Sequence, residues 1–117
     1  MMPAHLQDYL PLLPLAFWFI YKTWRSRQVR SKLPELLARG AILIDVRSPA
    51  EYAGAHAPGS VNMPLNNLTE RLTELPSSVP LVLACASGTR SAMAARQLQK
   101  MGFKETYNIG SWRHFPR

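Results

Sequence analysis

The chain has 117 residues, a single cysteine and a formal net charge of +7. This length allows one domain, one cysteine excludes an intrachain disulfide, and the three scattered histidines argue against a structural zinc site, so we expect no metal. We also expect no nucleic-acid partner, because the rest of the chain does not alternate aromatic with basic residues and much of the charge lies in one segment. That segment contains Lys22, Arg25, Arg27, Arg30 and Lys32.

An uncharged, mostly apolar segment from Tyr9 to Tyr21 precedes these basic residues and predicts an N-terminal helix. Trp18 and Trp24 resemble the aromatic residues that lie at membrane–water interfaces. Thirteen uncharged residues are fewer than the roughly 20 that cross a bilayer core. Residues 9–24 therefore span a membrane only if the basic side chains extend to its surface and the bilayer thins locally; otherwise they lie in the interface.

We interpret residues 1–27 as a membrane anchor with its basic flank, and residues 28–117 as the functional domain. A cleavable signal peptide would carry its basic residues ahead of the apolar run, and a helix of a soluble core would not need a basic flank. If the anchor spans, the positive-inside rule places the domain in the cytoplasm, at a bacterial-type inner membrane. A reducing compartment also suits an unpaired reactive thiol.

After the anchor, helix and strand signals alternate, which predicts a small α/β domain with a mainly parallel sheet. Gln28–Arg30 is predicted to form a short edge strand. Ser31 is the predicted N-cap of a helix that has Pro34 in its first turn and ends at Gly40. Residues 41–44 are predicted to form a fully buried strand.

Charged residues follow this buried strand. Asp45 and Arg47 lie at its carboxyl end, the edge at which α/β sheets build their sites, so we expect both to support the site. Ser48 and Pro49 predict the start of a short helix. His56 is expected to hydrogen-bond within a turn rather than to act as a base, since a thiolate held by backbone amides needs none.

The middle of the chain predicts one short strand and one amphipathic helix. The strand covers residues 61–63 and ends at Pro64. The core face of the helix is formed by leucines spaced by three, four and three residues, namely Leu65, Leu68, Leu72 and Leu75. Residues 76–80 are a linker.

Residues 81–84 predict a short buried strand that ends at Cys85, followed by a loop and a helix from Ser91. A strand that turns tightly into a helix points several backbone N–H groups at one spot, at the positive end of the helix dipole. A thiol held there has a lowered pKa, because the N–H groups stabilise the thiolate. Gly88 suits such a turn and Arg90 adds positive charge, so we predict a nucleophilic cysteine rather than a structural one.

The end of the chain completes the predicted domain. The helix from Ser91, which ends at Gly102, is expected to bury a face formed by Ala94, Ala95, Leu98 and Met101. The last strand covers residues 106–109. Trp112 is expected either to form one wall of the site or to pack in the core.

The segment Cys85–Ser91 resembles the active-site loop of rhodanese-type sulfurtransferases, in which the cysteine carries a persulfide. Other segments extend the resemblance in family order over residues 28–117, namely Ile44–Arg47, Glu51–Tyr52, His56–Pro64 and Tyr107–Trp112. Ala55 departs from the family, which usually has glycine before the histidine. The resemblance implies a rhodanese-like α/β fold, with helices flanking a mainly parallel sheet, in which Asp45 and Arg47 frame the loop.

The resemblance also implies a reaction. Cys85 takes the sulfane sulfur of a donor such as thiosulfate and passes it to cyanide, a thiol or an acceptor protein, without metal or organic cofactor. The residues that hold the transferred sulfur and the departing anion are Ala86, Ser87, Gly88, Thr89 and Arg90. Cysteine phosphatases place an arginine six residues after the cysteine, where this chain has Ser91, so the shorter loop suits sulfur transfer. The alternative function is a membrane-tethered binding module with little or no turnover.

Overall fold

The computed structural model describes residues 4–117, which form three α-helices, four strands and three 3₁₀ segments. The α-helices are α1 (Leu13–Ala38), α2 (Pro49–Gly54) and α3 (Thr89–Lys100). The strands are β1 (Ile42–Asp45), β2 (Val61–Asn62), β3 (Leu81–Cys85) and β4 (Thr106–Ser111). The 3₁₀ segments are Ala4–Leu12, Leu65–Glu74 and Trp112–His114. The strands pair in the order β2-β1-β3-β4, and every pair is parallel, which confirms the predicted small α/β fold.

Strand β3 is the centre of the domain and is buried along its whole length. Because side chains of a strand point alternately to opposite faces, Leu83 and Cys85 pack on the side of α3. Val82 and Ala84 pack on the side of α1. Helices therefore cover both faces of the sheet, which is why its two central strands consist almost entirely of apolar residues.

Helix α1 corrects the prediction for residues 28–31. The edge strand at 28–30 and the helix start at Ser31 are both wrong, because α1 continues without interruption through these positions. Val29, Leu33 and Leu36 form one stripe that is buried against the sheet, and this packing outweighs the backbone donor that Pro34 removes from the helix. The hydroxyl of Ser31 donates to the carbonyl of Gln28 (2.7 Å) instead of capping a helix.

Other element boundaries differ in smaller ways. Helix α3 begins at Thr89, two residues earlier than predicted, because Gly88 adopts a left-handed N-cap conformation. Met101 is half-exposed rather than buried, since it lies at the C-cap, where the helix leaves the sheet. The segment Leu65–Glu74 is 3₁₀ rather than α-helical, but it buries Leu68 as predicted.

The first half of α1 extends past the sheet. From its C-terminal end towards its N-terminal end, α1 makes three successive contacts with the domain. Leu36 packs in the core beside β1, Ser26 donates to the carbonyl of Ile109 (2.5 Å), and Lys22 lies beside Gly88. The helix thus runs antiparallel to the strands and leaves the sheet at the edge where β3 ends. We call residues 5–24 the N-terminal arm; with it, the molecule measures 59 × 30 × 30 Å.

The N-terminal arm exposes most of its apolar side chains, among them Leu15, Phe17, Trp18, Phe19, Ile20, Tyr21 and Trp24. Within residues 4–117, no helix is both long enough and apolar enough to cross a membrane. The prediction of a spanning helix is therefore not supported.

Candidate active site

The loop after β3 carries the cysteine and depends on one glycine. Gly88 has φ +102°, a conformation that residues with a side chain rarely adopt. A Cβ atom at this position would also lie 3.1 Å from the Cα of Gly110 and 3.1 Å from the Cε of Lys22. The chain therefore needs glycine here both to turn from β3 into α3 and to fit between α1 and β4.

The thiol of Cys85 is buried, with 1% of the residue exposed, and is surrounded by hydrogen-bond donors. The backbone N–H of Gly88 donates to Sγ (2.9 Å), and the hydroxyl of Ser91 lies 3.4 Å from it. Burial raises the pKa of the Cys85 thiol, but hydrogen bonds from the Ser91 hydroxyl and from the backbone N–H groups of Ser91, Gly88 and Ser87 outweigh burial and hold the pKa below its ordinary value. This is the amide-lined loop that the sequence predicted.

Ser91 and Asn108 are site residues that the sequence analysis missed. The Ser91 hydroxyl has one proton, which either Asn108 Oδ1 (2.7 Å) or the Cys85 thiolate (3.4 Å) accepts, and the Asn108 side-chain amide donates to the carbonyl of Gly88 (2.9 Å). A bulge in β4 shifts the pairing between Leu83 and Ala84 of β3, and the N–H of Gly110 closes it onto Asn108 Oδ1 (3.0 Å). One feature of the sequence could have identified Ser91 as a buried residue: it lies on the same helix face as Ala94, Ala95 and Leu98, which were predicted to be buried.

The Ser91→Ala variant is expected to raise the pKa of Cys85, because it removes the hydroxyl that stabilises the thiolate. Since only the thiolate reacts, the iodoacetamide alkylation rate at neutral pH should fall about fivefold to tenfold, and its pH midpoint should move upwards. Ser78→Ala, at an exposed serine of the linker, is the matched control. An unchanged pH profile in folded Ser91→Ala would mean that this hydroxyl does not act on the thiolate.

Arg90 lies at the site but is held by a carboxylate. Its two terminal nitrogens donate to Glu51 (2.6 and 3.0 Å), and Glu51 also accepts from the Ser48 backbone N–H in the capping box of α2. The Arg90 guanidinium and the Ser48 N–H lower the pKa of Glu51 to about 2. Glu51 is the main cause that raises the pKa of Arg90, and Cys85 contributes to the same rise. Glu51 thus positions the guanidinium beside the thiol.

The other predicted loop residues have different surroundings. Ala86 and Ser87 are exposed at the rim of the loop, and Thr89 is exposed at the first turn of α3. A cavity of about 590 Å³ lies on the Arg90 side of α3 and is lined by Ser48, Pro64, Leu65, Asn66, Thr69, Arg90 and Gln97. Of the predicted loop residues, Arg90 alone is among those that line this cavity.

Asp45 and Arg47 form a buried ion pair beside the loop. The Arg47 Nε and Nη2 atoms donate to both carboxylate oxygens of Asp45 (2.8–3.0 Å), and Nη2 also donates to the carbonyl of Ala55 (2.7 Å). The Arg47 guanidinium packs on the ring of Trp112, 4.5 Å from its centroid. In the sheet, Asp45 pairs with Ala84, next to Cys85. The pair thus holds the chain around the loop and does not donate to the thiol, and Trp112 packs on Arg47 and the core rather than on the cysteine.

His56 makes its contacts with Tyr52. Its Nδ1 lies 2.7 Å from the carbonyl of Tyr52, and its ring stacks on the Tyr52 ring at 3.8 Å. It is the turn histidine that the sequence predicted. Over the part of the chain that the structure describes, no group of three or more His, Cys, Asp or Glu side chains is placed to hold a metal ion.

The sequence and the fold were compared with those of known proteins. Residues 29–115 match the family described as "Rhodanese-like domain". YqhL of Bacillus subtilis is 44% identical over 71 residues, which are 61% of this chain and 56% of YqhL, so the chain spans just over half of that relative. The thiosulfate sulfurtransferase GlpE of Ectopseudomonas mendocina is 33% identical over 75 residues, 64% of this chain and 69% of GlpE. A solved structure of "rhodanese with anions from E. coli" is 30% identical with a TM-score of 0.60, and the match covers 64% of this chain and 91% of that one.

Proposed function

The chain belongs to the rhodanese-like domain family, and from this premise we propose that it is a sulfurtransferase in which Cys85 carries the transferred sulfur. The observation that carries the proposal is the buried Cys85 thiol, whose pKa is lowered by the amides of its loop and by the Ser91 hydroxyl. A thiolate stabilised in this way is the nucleophile that sulfur transfer requires. The relative GlpE, a thiosulfate sulfurtransferase by name, supports the same reaction class.

In the first step the Cys85 thiolate attacks the outer sulfur of thiosulfate. A new bond forms between the two sulfurs, the bond between the outer sulfur and the sulfonate sulfur breaks, and its electron pair leaves with sulfite. The product is a persulfide whose terminal sulfur carries the negative charge. The N–H groups of Ser87, Gly88 and Ser91, which already surround Sγ, stabilise this charge, and Arg90 attracts the incoming and departing anions.

In the second step a nucleophilic acceptor removes the terminal sulfur. Cyanide attacks that sulfur, the persulfide bond breaks, its electron pair returns to Cys85, and thiocyanate leaves. A small thiolate, or the thiolate of an acceptor protein, reacts in the same way and becomes a persulfide itself. The chain has no second cysteine to accept the sulfur internally, so an external acceptor completes the cycle.

Intact-protein mass spectrometry after thiosulfate treatment tests the proposal. The wild type is expected to gain the mass of one sulfur, and cyanide should remove it as thiocyanate. Cys85→Ser is the control and should gain nothing. If the folded wild type forms no adduct with thiosulfate or other sulfane donors, sulfur transfer is wrong, and a membrane-tethered binding module becomes the better interpretation.

We also propose that residues 9–24 attach the chain to the cytoplasmic face of a bacterial-type inner membrane without spanning it. The support for attachment is the exposed apolar surface of the N-terminal arm, followed directly by basic residues. Removing that apolar surface from water favours a lipid environment by about 25 cal/mol per Å². The cytoplasmic side agrees with the unpaired thiol, which a reducing compartment preserves.

A further inference from the structure

The N-terminal arm has no polar face between Phe17 and Tyr21. These five consecutive residues are all exposed and all apolar or aromatic, and at 100° per residue they point around the whole helix. A helix that is apolar on every side is normally surrounded by apolar material. A protein groove that binds one stripe would leave the other sides of the arm in water, whereas a lipid bilayer covers all of them.

The arm leaves the domain at the same edge as the active-site loop. The side chain of Lys22 lies beside Gly88 of that loop, with its Cε 3.1 Å from the place that a Cβ on Gly88 would take, and the chain N-terminal to Lys22 continues in the direction in which β3 ends. With rises of about 1.5 Å per residue in α1 and about 2.0 Å in the 3₁₀ segment, the arm extends about 30 Å beyond Lys22. Helix α1 is continuous from the arm into the core, so no flexible linker lets the domain reorient.

A cationic groove begins where the arm meets the domain and continues along α3 to Gln99 and Thr106. It has a volume of about 410 Å³, runs between α1 and α3 and reaches Gly88 and Thr89 of the loop. Three basic residues line it, Lys22, Arg25 and Arg96, together with Trp18, Tyr21 and Met93. Among the described residues, none of those that line the groove is acidic. The groove therefore matches the phosphate of an anionic lipid headgroup that lies between the apolar arm and the domain.

We propose that the chain docks on an anionic lipid bilayer with the apolar residues 9–21 of the arm inserted obliquely into one leaflet and the Lys22 and Arg25 end of the groove at the headgroup phosphates, so that the Cys85 edge of the sheet faces the membrane. This inference rests on the proposed sulfur transfer and membrane attachment and adds their geometry. The opposite edge, with Gly40, Met101 and the linker at 76–80, faces the cytoplasm. Sulfur then reaches and leaves Cys85 at the membrane surface, and the acceptor class that fits is a thiol presented there by a membrane-bound molecule.

Two exposed methionines, Met93 in α3 and Met101 at the C-cap of α3, give a matched pair for testing the orientation. Met93 lies in the groove near the Cys85 edge, and Met101 lies at the other end of the same helix, about 12 Å away at 1.5 Å per residue. Full-length Cys85→Ser protein is combined with Met93→Cys or Met101→Cys, and the new thiol carries an environment-sensitive fluorophore. Vesicles of phosphatidylcholine, with or without phosphatidylglycerol, contain a lipid with a nitroxide on its headgroup as the quencher.

The expected result is binding that requires phosphatidylglycerol, with strong quenching of the label at position 93 and little at position 101. Equal quenching at the two positions, or stronger quenching at 101, overturns the orientation. Failure to bind anionic vesicles overturns the docking, and a stable dimer in its place assigns the arm to a second copy of the chain. Sulfur loading of wild-type Cys85 by thiosulfate needs no vesicles, so it separates failure of this inference from failure of sulfur transfer.

The cationic groove is tested separately with charge variants. The double variant Arg25→Gln/Arg96→Gln is expected to weaken binding to the anionic vesicles at least tenfold, because each basic residue near an anionic surface contributes about 1 kcal/mol. Lys100→Gln/Lys104→Gln removes the same charge from exposed residues at the far edge and should change binding little. Equal effects of the two double variants would mean that net charge, and not the groove, attracts the lipid.

Discussion

Gly88→Ala is expected to abolish most sulfur loading of Cys85. The alanine must adopt φ +102°, and its Cβ must fit where two atoms lie at 3.1 Å. The end of Lys22 can move, but the Gly110 backbone belongs to β4 and cannot do so without disturbing the bulge that holds Asn108. The loop must therefore shift, and the Gly88 N–H moves away from Sγ. Loss of one such donor lowers rates by about 10²-fold to 10³-fold.

Gly102→Ala provides a closely matched control. Gly102 has φ +100°, almost the same backbone strain as Gly88, but no atom lies within 4 Å of a Cβ built there. In both variants the left-handed conformation of alanine destabilises the folded protein by about 1–2 kcal/mol, but only Gly88→Ala distorts the site. Thiosulfate loading, followed by mass spectrometry on both variants, measures the difference. Equal loading rates in the two would show that the fit at Gly88 does not control the thiol.

Asp45→Asn is expected to produce the largest loss of stability. The Asp45 carboxylate is fully buried, and its partner Arg47 is almost fully buried. Removing the negative charge leaves the guanidinium uncompensated in the interior, which typically costs about 3–5 kcal/mol. Domains of this size have a total free energy of unfolding of about 5–15 kcal/mol, so the variant should unfold at a much lower urea concentration.

The ion pair between Arg71 and Glu74 serves as the control for this prediction. It also joins residues close in sequence (2.9 Å), but both side chains are substantially exposed. Glu74→Gln should therefore change the free energy of unfolding by no more than about 1 kcal/mol. Equilibrium urea unfolding of both variants, followed by circular dichroism, measures the two costs. Similar losses for Asp45→Asn and Glu74→Gln would mean that burial does not set the contribution of the Asp45 pair.

Local signals were enough to predict the central part of the fold and the nucleophile. Residues 81–84 are apolar and include β-branched valine, so their burial in a parallel sheet follows from composition. Cys85 at the end of that run, with glycine three residues later, predicts a strand–turn–helix loop with amides around the thiol. The start of the short helix after Ser48 and the helix end at Gly40, with φ +85°, also follow from local signals. Each of these features depends on residues within a few positions of one another.

The partners of the site residues could not be predicted in the same way. Arg90 pairs with Glu51, which is 39 residues away, and Ser91 bonds with Asn108, which is 17 residues away. Such contacts depend on how α2, α3 and β4 are brought together and on the β4 bulge. The sequence marks these residues as polar, but it does not state which of them meet.

The sequence by itself determined the buried strands, the reactive cysteine with its glycine turn, and the apolar segment with its basic flank. Tertiary structure decided that residues 28–31 are helical, because the stripe of Val29, Leu33 and Leu36 packs on the sheet and outweighs the local signals of Ser31 and Pro34. It also decided where the N-terminal arm points. A helix that must run antiparallel to β1 carries the arm past the edge where Cys85 lies, and only the packing of α1 on the sheet gives it that direction.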